Sequence, residues 1–291
     1  MTAPTIHPVS TQGVSIPYIT VDELKRSPVY TQLQKLVPRS SEADRDAELA
    51  AIIRRASAMI NGEVNQNLAA TTDYEVGRVV ADDWGNIRIH TRANPIIDVV
   101  SISIGQNPAS LTPVTDLSSV ILDPWRITIP SHGSTNWFWS GNLPLGRFSP
   151  GRSMWAEWVY TNGYPATALS VDANAGDTTI TVKNATGILP NSTLLTIEDG
   201  KYFEQLTPTA VTGNVLTIPA LEFAHLAGVG VSSLPDDIKE CALLLCSRLH
   251  DTWSLTMGAV SVDGSGAHNN SPRPKIMCDA AVILEPYRRW W

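Results

Sequence analysis

Residues 166–233 constrain the fold most. They stand between a strand-like stretch, 154-MWAEWVY-160, and a helix-like one, 234-LPDDIKECALLLCSRLHDTW-253. A strand that ends in a tight turn is normally followed by its next element within a few residues. Here a period of two takes over instead. Thr178, Ile180 and Val182 alternate, and 193-TLLTIED-199, 202-YFEQLTP-208 and 214-NVLTIP-219 read as further strands. Glu198-Asp-Gly200 and Thr212-Gly-Asn214 supply turns between them. Several short strands with regular turns predict a small sandwich or barrel. With Ala166–Ser233 removed, what remains is one α/β unit. The β module therefore reads as an insertion into a strand-to-helix turn, where insertions are tolerated if the two ends lie close together.

The rest of the chain changes period once. Residues 1–17 read as an extended arm. Thr20 with Glu23 three residues later predicts a capping box and a short helix, broken near Ser27-Pro28. In 40-SSEADRDAELAAIIRRASAMINGEV-64, Leu49, Ile52, Ile53, Ala56 and Ile60 share one helical face, with a stop expected at Asn61-Gly62. From Thr71 the spacing becomes that of strands: 74–81, 86–91, 96–105, 119–123, 125–130 and 154–160, with Asp83-Trp-Gly-Asn86 as a hairpin turn. After Pro235 a helix from Asp236 to about Leu255 is expected to bury Ile238, Ala242, Leu245, Leu249 and Trp253. Residues 258–274 read as a flexible stretch. Beyond it Ile276, Ala280, Ile283 and Leu284 are helically spaced up to Pro286.

Composition narrows the function classes. A net charge of -7 argues against a non-specific grip on nucleic acid, which requires Lys and Arg against phosphates. It is compatible with a pore wall along which DNA slides without sticking. The longest apolar run, around Cys241–Cys246, is too short to span a bilayer, and the polar N-terminus lacks the form of a signal peptide. Three cysteines without a CxxC read as free thiols in a reducing compartment.

No catalytic pattern stands out. There is no GxSxG in a strand-turn-helix setting, no GxxxxGK[ST] and no HExxH, and the six histidines are scattered. His225 reads as a structural or surface histidine, and Asp82-Asp83 as a solvated turn. No catalytic, metal or cofactor-binding residue is expected, and no cofactor. Large apolar rings are the more informative feature. Trp137-Phe138-Trp139 sits in a long Gly, Pro and Ser-rich loop that cannot easily bury it, so the cluster reads either as a self-folded loop or as a contact surface. Tyr287, Arg288, Arg289, Trp290 and Trp291 pose the same choice, and there docking onto a partner is the expectation, because the segment follows a flexible stretch and is too short to bury itself.

The order of the pieces carries a resemblance. The segments 18-YITVDELKRSP-28, 47-AELAAIIRRASAMINGEVNQNLAATTDYE-75, 95-PIIDVVSISIG-105, 155-WAEWVYTNGYP-165 and 234-LPDDIKECALLLCSRL-249 together resemble the head-tail connector (adaptor) proteins of long-tailed bacteriophages. With 168-ALSVDANAGDTTITVKNATGILPNSTLLTIEDG-200 inserted, the chain is similar to connectors from phages of actinobacteria and their relatives. The resemblance runs from about Tyr18 to Leu255 and implies an α+β fold: a helical connector core (18–165 and 234–257) with an antiparallel β region and an inserted small all-β domain (166–233). The N-terminal arm (1–17) and the linker with a C-terminal docking segment (258–291) lie outside it and are read from the residues. It implies a structural role without catalysis. The chain would form a homo-oligomeric ring of about twelve copies in the virion neck, assembled in the host cytoplasm. The portal protein would lie on one side and a stopper or tail-completion protein on the other. Double-stranded DNA would pass through the lumen without sequence-specific binding, and no membrane is involved. Two other classes stay open: a carbohydrate-binding or adhesive virion surface protein using exposed aromatics and the β module, and a hydrolase built from a nonlocal His/Asp cluster.

Overall fold

The structure, a computed structural model, describes residues 16–33, 41–130, 153–200, 202–257 and 275–288, without the side chains of 32, 250–257 and 275–279. The chain divides into two compact units, Ala70–Gly163 and Ser15–Ala69 with Tyr164–Trp291. The fold is α+β with antiparallel sheets. Among the described residues strands outnumber helices.

Helix α1 (Val21–Arg26) opens on the expected capping box. The Glu23 N–H donates to the Thr20 hydroxyl at 3.1 Å and the Thr20 N–H to the Glu23 carboxylate at 2.5 Å, so each side chain satisfies a backbone donor left free at the helix start. The helix ends at Ser27, whose extended backbone suits the residue before a proline. A single turn, α2 (Tyr30–Leu33), follows. Ser41 caps α3 (Glu42–Val64), and Leu49, Ile52, Ile53, Ala56 and Ile60 are all buried on its inner face. The helix does not stop at Asn61-Gly62. Val64 is also buried, which extends the apolar face by one turn, and Asn65 then takes the left-handed conformation (φ 58°) that ends it.

Helices α4 (Asp236–Met257) and α5 (Lys275–Leu284) complete a helical core in which Leu24, Leu33, Leu49, Ile53, Leu245 and Leu284 meet. Each such side chain, fully buried, contributes about 1.5–3 kcal/mol. Cys241 and Cys246 point about 140° apart on α4, yet both are buried, because α2, α3 and α5 all pack against this helix. Tyr18 plugs the same core: its hydroxyl bonds Asn61, accepts the Leu68 N–H at 2.9 Å, and is held neutral well above the usual phenol range by burial.

In the other unit, seven strands form one antiparallel sheet: β1 (Thr71–Ala81), β2 (Ile87–His90), β3 (Ile96–Gly105), β4 (Thr112–Pro113), β5 (Ile121–Asp123), β6 (Arg126–Ile129) and β7 (Ser153–Asn162), in the order β4-β3-β7-β1-β2-β6-β5. The long β1–β7 ladder runs from Thr71↔Asn162 to Val80↔Ser153. Alternation decides the faces. Val79, Ile89, Ile102, Ile127, Met154 and Trp158 gather on one side as a hydrophobic core. The sheet curls over this core, and the Ile96 N–H donates to the Pro124 carbonyl at 2.8 Å, which draws the β5–β6 turn to the start of β3. Tyr160 anchors the curl from within, donating to Glu75 at 2.5 Å and accepting the Ala93 N–H at 3.0 Å. Burial, then the Glu75 charge, raises its pKa.

Residues 166–232 carry the remaining strands: β8 (Ala166–Ala168), β9 (Thr179–Thr181), β10 (Leu195–Glu198), β11 (Phe203–Leu206), β12 (Ala210–Thr212), β13 (Val215–Thr217) and β14 (Gly230–Ser232). They form two sheets, β11-β10-β14-β8 and β12-β13-β9, around a hydrophobic cluster that includes Leu169, Ile180, Leu195, Ile197, Leu216 and Val231. Gly213 takes φ 58° in the β12–β13 turn, a conformation that costs glycine nothing. The segment begins and ends at one place: Ala166 pairs with Ser232, and the Ser233 N–H donates to the Pro165 carbonyl at 2.8 Å.

Candidate functional site

The surfaces singled out in the sequence divide by what the structure describes. Trp137, Phe138, Trp139, Arg289, Trp290 and Trp291 lie outside the described residues. The register does fix where the segment 131–152 leaves and rejoins the sheet. Ile129 pairs with Ile87 and Ser153 with Val80, both beside the β1–β2 turn.

Tyr287 and Arg288 are described, and both engage their own chain. The Tyr287 hydroxyl donates to the Asp237 carboxylate at 2.9 and 3.0 Å, its carbonyl accepts from Gln66 at 3.1 Å, and its ring meets Tyr164 edge-on at 6.5 Å. Burial, and then the hydrogen bond to Asp237, raises the pKa of this phenol. Arg288 pairs with Glu63 at the end of α3. The last helix, expected from its helically spaced apolar residues, lays Ala280 and Leu284 into the helical core. Its apolar stripe was legible, but that its cover comes from α3 and α4 was not.

Charged contacts tie α1 to two neighbours. Glu23 receives Lys239 of α4 at 3.0 Å while capping Thr20, and a Cβ added at Gly230 of β14 would come within 2.9 Å of its carboxylate. Arg26 pairs with Asp199 in the β10–β11 turn at 2.8 Å. Behind that turn His225 is buried, with Nε2 3.0 Å from Glu204 and Nδ1 3.5 Å from Asp199. It is thus a structural histidine held through Nε2, while its Nδ1 makes no hydrogen bond among the described residues. Two cavities of about 440 Å³ flank α1, one lined by Tyr18, Ile53 and Lys183, the other by Arg26, Phe203 and Lys239. Such volumes suit small molecules, but Glu23, Arg26 and Lys239 in their walls are already engaged in ion pairs.

The chemistry of the buried thiols points away from reactivity. Burial pushes Cys241 and Cys246 up to about 12, far from the thiolate that attacks or ligates. Among the described residues no group of three or more His, Cys, Asp or Glu could hold a metal ion, and no helix is long and apolar enough to cross a membrane.

Sequence reasoning passed over two exposed tryptophans. Trp84, in the β1–β2 turn, is 78 % exposed, and Trp125, in the β5–β6 turn, is 62 % exposed. The signal was present: an indole in a short Asp/Gly or Asp-Pro turn has no element of its own to bury it, the argument already applied to Trp137. The Trp84 turn is stiffly built. Asp82 accepts the Trp84 and Asn86 N–H groups at 2.9 Å each and pairs with Arg88 at 2.9 Å. Burial opposes ionisation of Asp82, but the hydrogen bonds from Asn86 and Trp84 and the Arg88 charge outweigh it and lower its pKa.

No family model and no curated protein matches the chain. Among solved structures, a chain from the neck of an empty GTA particle, computed with C6 symmetry, is similar at 16% identity and a TM-score of 0.37, covering 94% of this chain and 95% of that one. A chain from the virion of a native gene transfer agent (GTA) particle is similar at 15% identity and a TM-score of 0.37, covering 98% and 97%. Similarity this loose fixes neither the fold nor the role of the present chain.

Proposed function

We propose that the chain is a structural head-to-tail adaptor of a phage-like virion, forming a ring between the portal and a stopper or tail-completion protein around the DNA channel. The observation that carries this reading is where the adaptor-like segments fall. Tyr18–Pro28, Ala47–Glu75, Pro95–Gly105, Trp155–Pro165 and Leu234–Leu249 supply α1, α3, β1, β3, β7 and α4, the frame of the two units. The residues that resemble the family are thus the ones that build the body, as a structural protein requires. The meeting ends of residues 166–232, joined by Ser233 to Pro165, support an inserted module carried by that body. The role needs no catalytic group, and Cys241 and Cys246 sit buried as packing residues.

Many weak contacts repeated around a ring give avidity, so modest single interfaces suffice. The test is whether the protein is present in purified virions at the head-tail junction, located by labelling; absence from particles would overturn the reading.

A second reading, a carbohydrate-binding virion surface protein, rests on the exposed indoles of Trp84 and Trp125 and on the exposed Phe203 beside the stacked Tyr202–Phe223 pair. Rings of this kind stack on sugar faces. Binding on a glycan array that is lost in Trp84→Ala or Phe203→Ala would favour it over the adaptor.

A further inference from the structure

Strand β11 is an outer strand of its sheet, and no strand pairs with its far side among the described residues. The Asp199 N–H donates to the Tyr202 carbonyl at 2.9 Å, which sets the alternation along the β10–β11 ladder. Phe203 and Gln205, opposite Glu198 and Thr196, fall in the non-hydrogen-bonded positions. Their own N–H and C=O groups therefore point away from β10 and form a template for one more strand.

The same edge borders a cavity. Phe203, 58 % exposed, forms one rim of the space of about 440 Å³ between α1, α4 and the β10–β11 turn. Ile19, Pro28 and Leu243 give that space an apolar lining. Its charges do not cancel. Glu23 is neutralised by Lys239, and Arg26 by Asp199. The exposed Glu198, Asp236 and Glu240 remain, and no cation pairs with them among the described residues. An open strand edge thus stands beside a pocket that suits an apolar ring and a positive charge.

The chain itself carries a segment of that chemistry. Arg289-Trp290-Trp291 joins a guanidinium to two indoles and directly follows Arg288, which is held on Glu63. The strand edge of the same chain lies beyond its reach. Lys25, next to Arg26, is held on Asp46 at 2.7 Å, and Asp46 and Glu63 lie about 25 Å apart along α3. Three residues extend at most about 11 Å.

From this we infer that β11 and the cavity beside it form a strand-addition site, and that its occupant is Arg289–Trp291 of a second copy of this chain. Main-chain hydrogen bonds to Phe203 and Gln205 align the incoming segment. One indole fills the apolar lining beside Phe203, and the guanidinium faces Glu198, Asp236 and Glu240. Trp and Arg are the residue types that dominate association energies. Segment and groove are different surfaces of one molecule, so the contact is heterologous. It closes into a ring when the rotation between copies divides a full turn.

The ring rests on the adaptor reading, but the contact itself is measured without one. A labelled peptide of residues 286–291 is added to the chain lacking only 289–291, and binding is followed by fluorescence anisotropy. Saturable binding is expected, at least about tenfold weaker in Glu198→Lys/Glu240→Lys and in Phe203→Ser. These three side chains are exposed, so the melting curves of the variants should match the parent. A peptide that does not bind, or binds all variants equally, overturns the site and leaves the adaptor reading standing. Assembly with the portal protein of the same phage, read by sedimentation velocity, then tells one copy from two. Arg289→Glu and Glu198→Lys/Glu240→Lys should each lower ring formation at least about tenfold. Mixing the two variants should restore rings, since each segment again meets a groove of opposite charge. Rescue only when both changes sit in one chain would show the segment in its own groove and contradict the inference. If the peptide binds but the wild-type chain forms no ring with the portal, the adaptor reading falls and the strand-addition site stands.

Discussion

Tyr287 donates its hydroxyl to Asp237, fifty residues away in sequence, at 2.9 and 3.0 Å, and so pins the C-terminal segment to the first turn of α4. With Arg288 on Glu63, this contact closes the end of the helical core. Truncation after Leu284 removes both contacts but keeps α5. It should lower stability by about 2 kcal/mol, the scale of a hydrogen bond to a charged group, while urea unfolding stays cooperative. Leu284→Ala should cost more, about 2–5 kcal/mol, because Leu284 is buried in that core. If Leu284→Ala proved neutral in urea melts, α5 would not belong to the core.

Glu23 has two tasks, capping Thr20 and pairing with Lys239, and a double-mutant cycle separates them. Thr20→Ala should cost about 1 kcal/mol, the usual value of an N-cap. Glu23→Gln should cost more than Lys239→Met, since it weakens both contacts. Gly230→Ala places a Cβ within 2.9 Å of the same carboxylate and should displace it. Its penalty should therefore shrink in the Glu23→Gln background, and strict additivity of the two would show that Gly230 is needed for some other reason.

Alkaline conditions should unfold the chain early. Cys241 and Cys246 are raised by burial from an ordinary value of 9.0 to about 12. The folded state therefore keeps protons that the unfolded chain releases above pH 9. The stabilisation is fully present below that pH and is lost as pH rises towards 12, by up to about 1.4 kcal/mol per pH unit for each thiol. Denaturation curves at pH 8, 9 and 10 should show the decline, and a Cys241→Ala/Cys246→Ala protein, though less stable overall, should show a flatter one. Thiol-specific reagents should label neither residue until the protein unfolds.

The sheet unit offers a separate check. Asp82 accepts three donors in the Trp84 turn and its pKa is lowered. That contribution is present above the ordinary carboxylate range and fades as pH falls through the folded value. Asp82→Ala should broaden the Trp84 fluorescence response and speed amide exchange at Asn86, with little effect on the helical core. Unchanged exchange at Asn86 would mean that the turn holds itself without the carboxylate.

Local signals in the sequence carried much of the fold. The Thr20–Glu23 box, the inner face of α3 and the strands near 74–81, 96–105 and 154–160 follow from capping chemistry and from periods of 3.6 and two, which depend on near neighbours alone. The missed strands have a physical cause. Gly230-Val-Ser232 is buried on both faces and so shows no alternation, and β8 and β12 are only three residues long. What covers α5 was not legible either, because its partners lie far back along the chain at Glu63 and Asp237. Of the candidate surfaces, the exposure of Trp84 and Trp125 was legible in their turns, but the groove beside Phe203 was not, because α1, α4 and β11 meet there from distant parts of the chain.

The adaptor reading is tested most directly by negative-stain imaging of the full-length protein mixed with the portal protein of the same phage. The account predicts a ring on the portal, matched to it in symmetry and carrying outward knobs the size of the β8–β14 module. A protein that stays monomeric and never associates with the portal would contradict it.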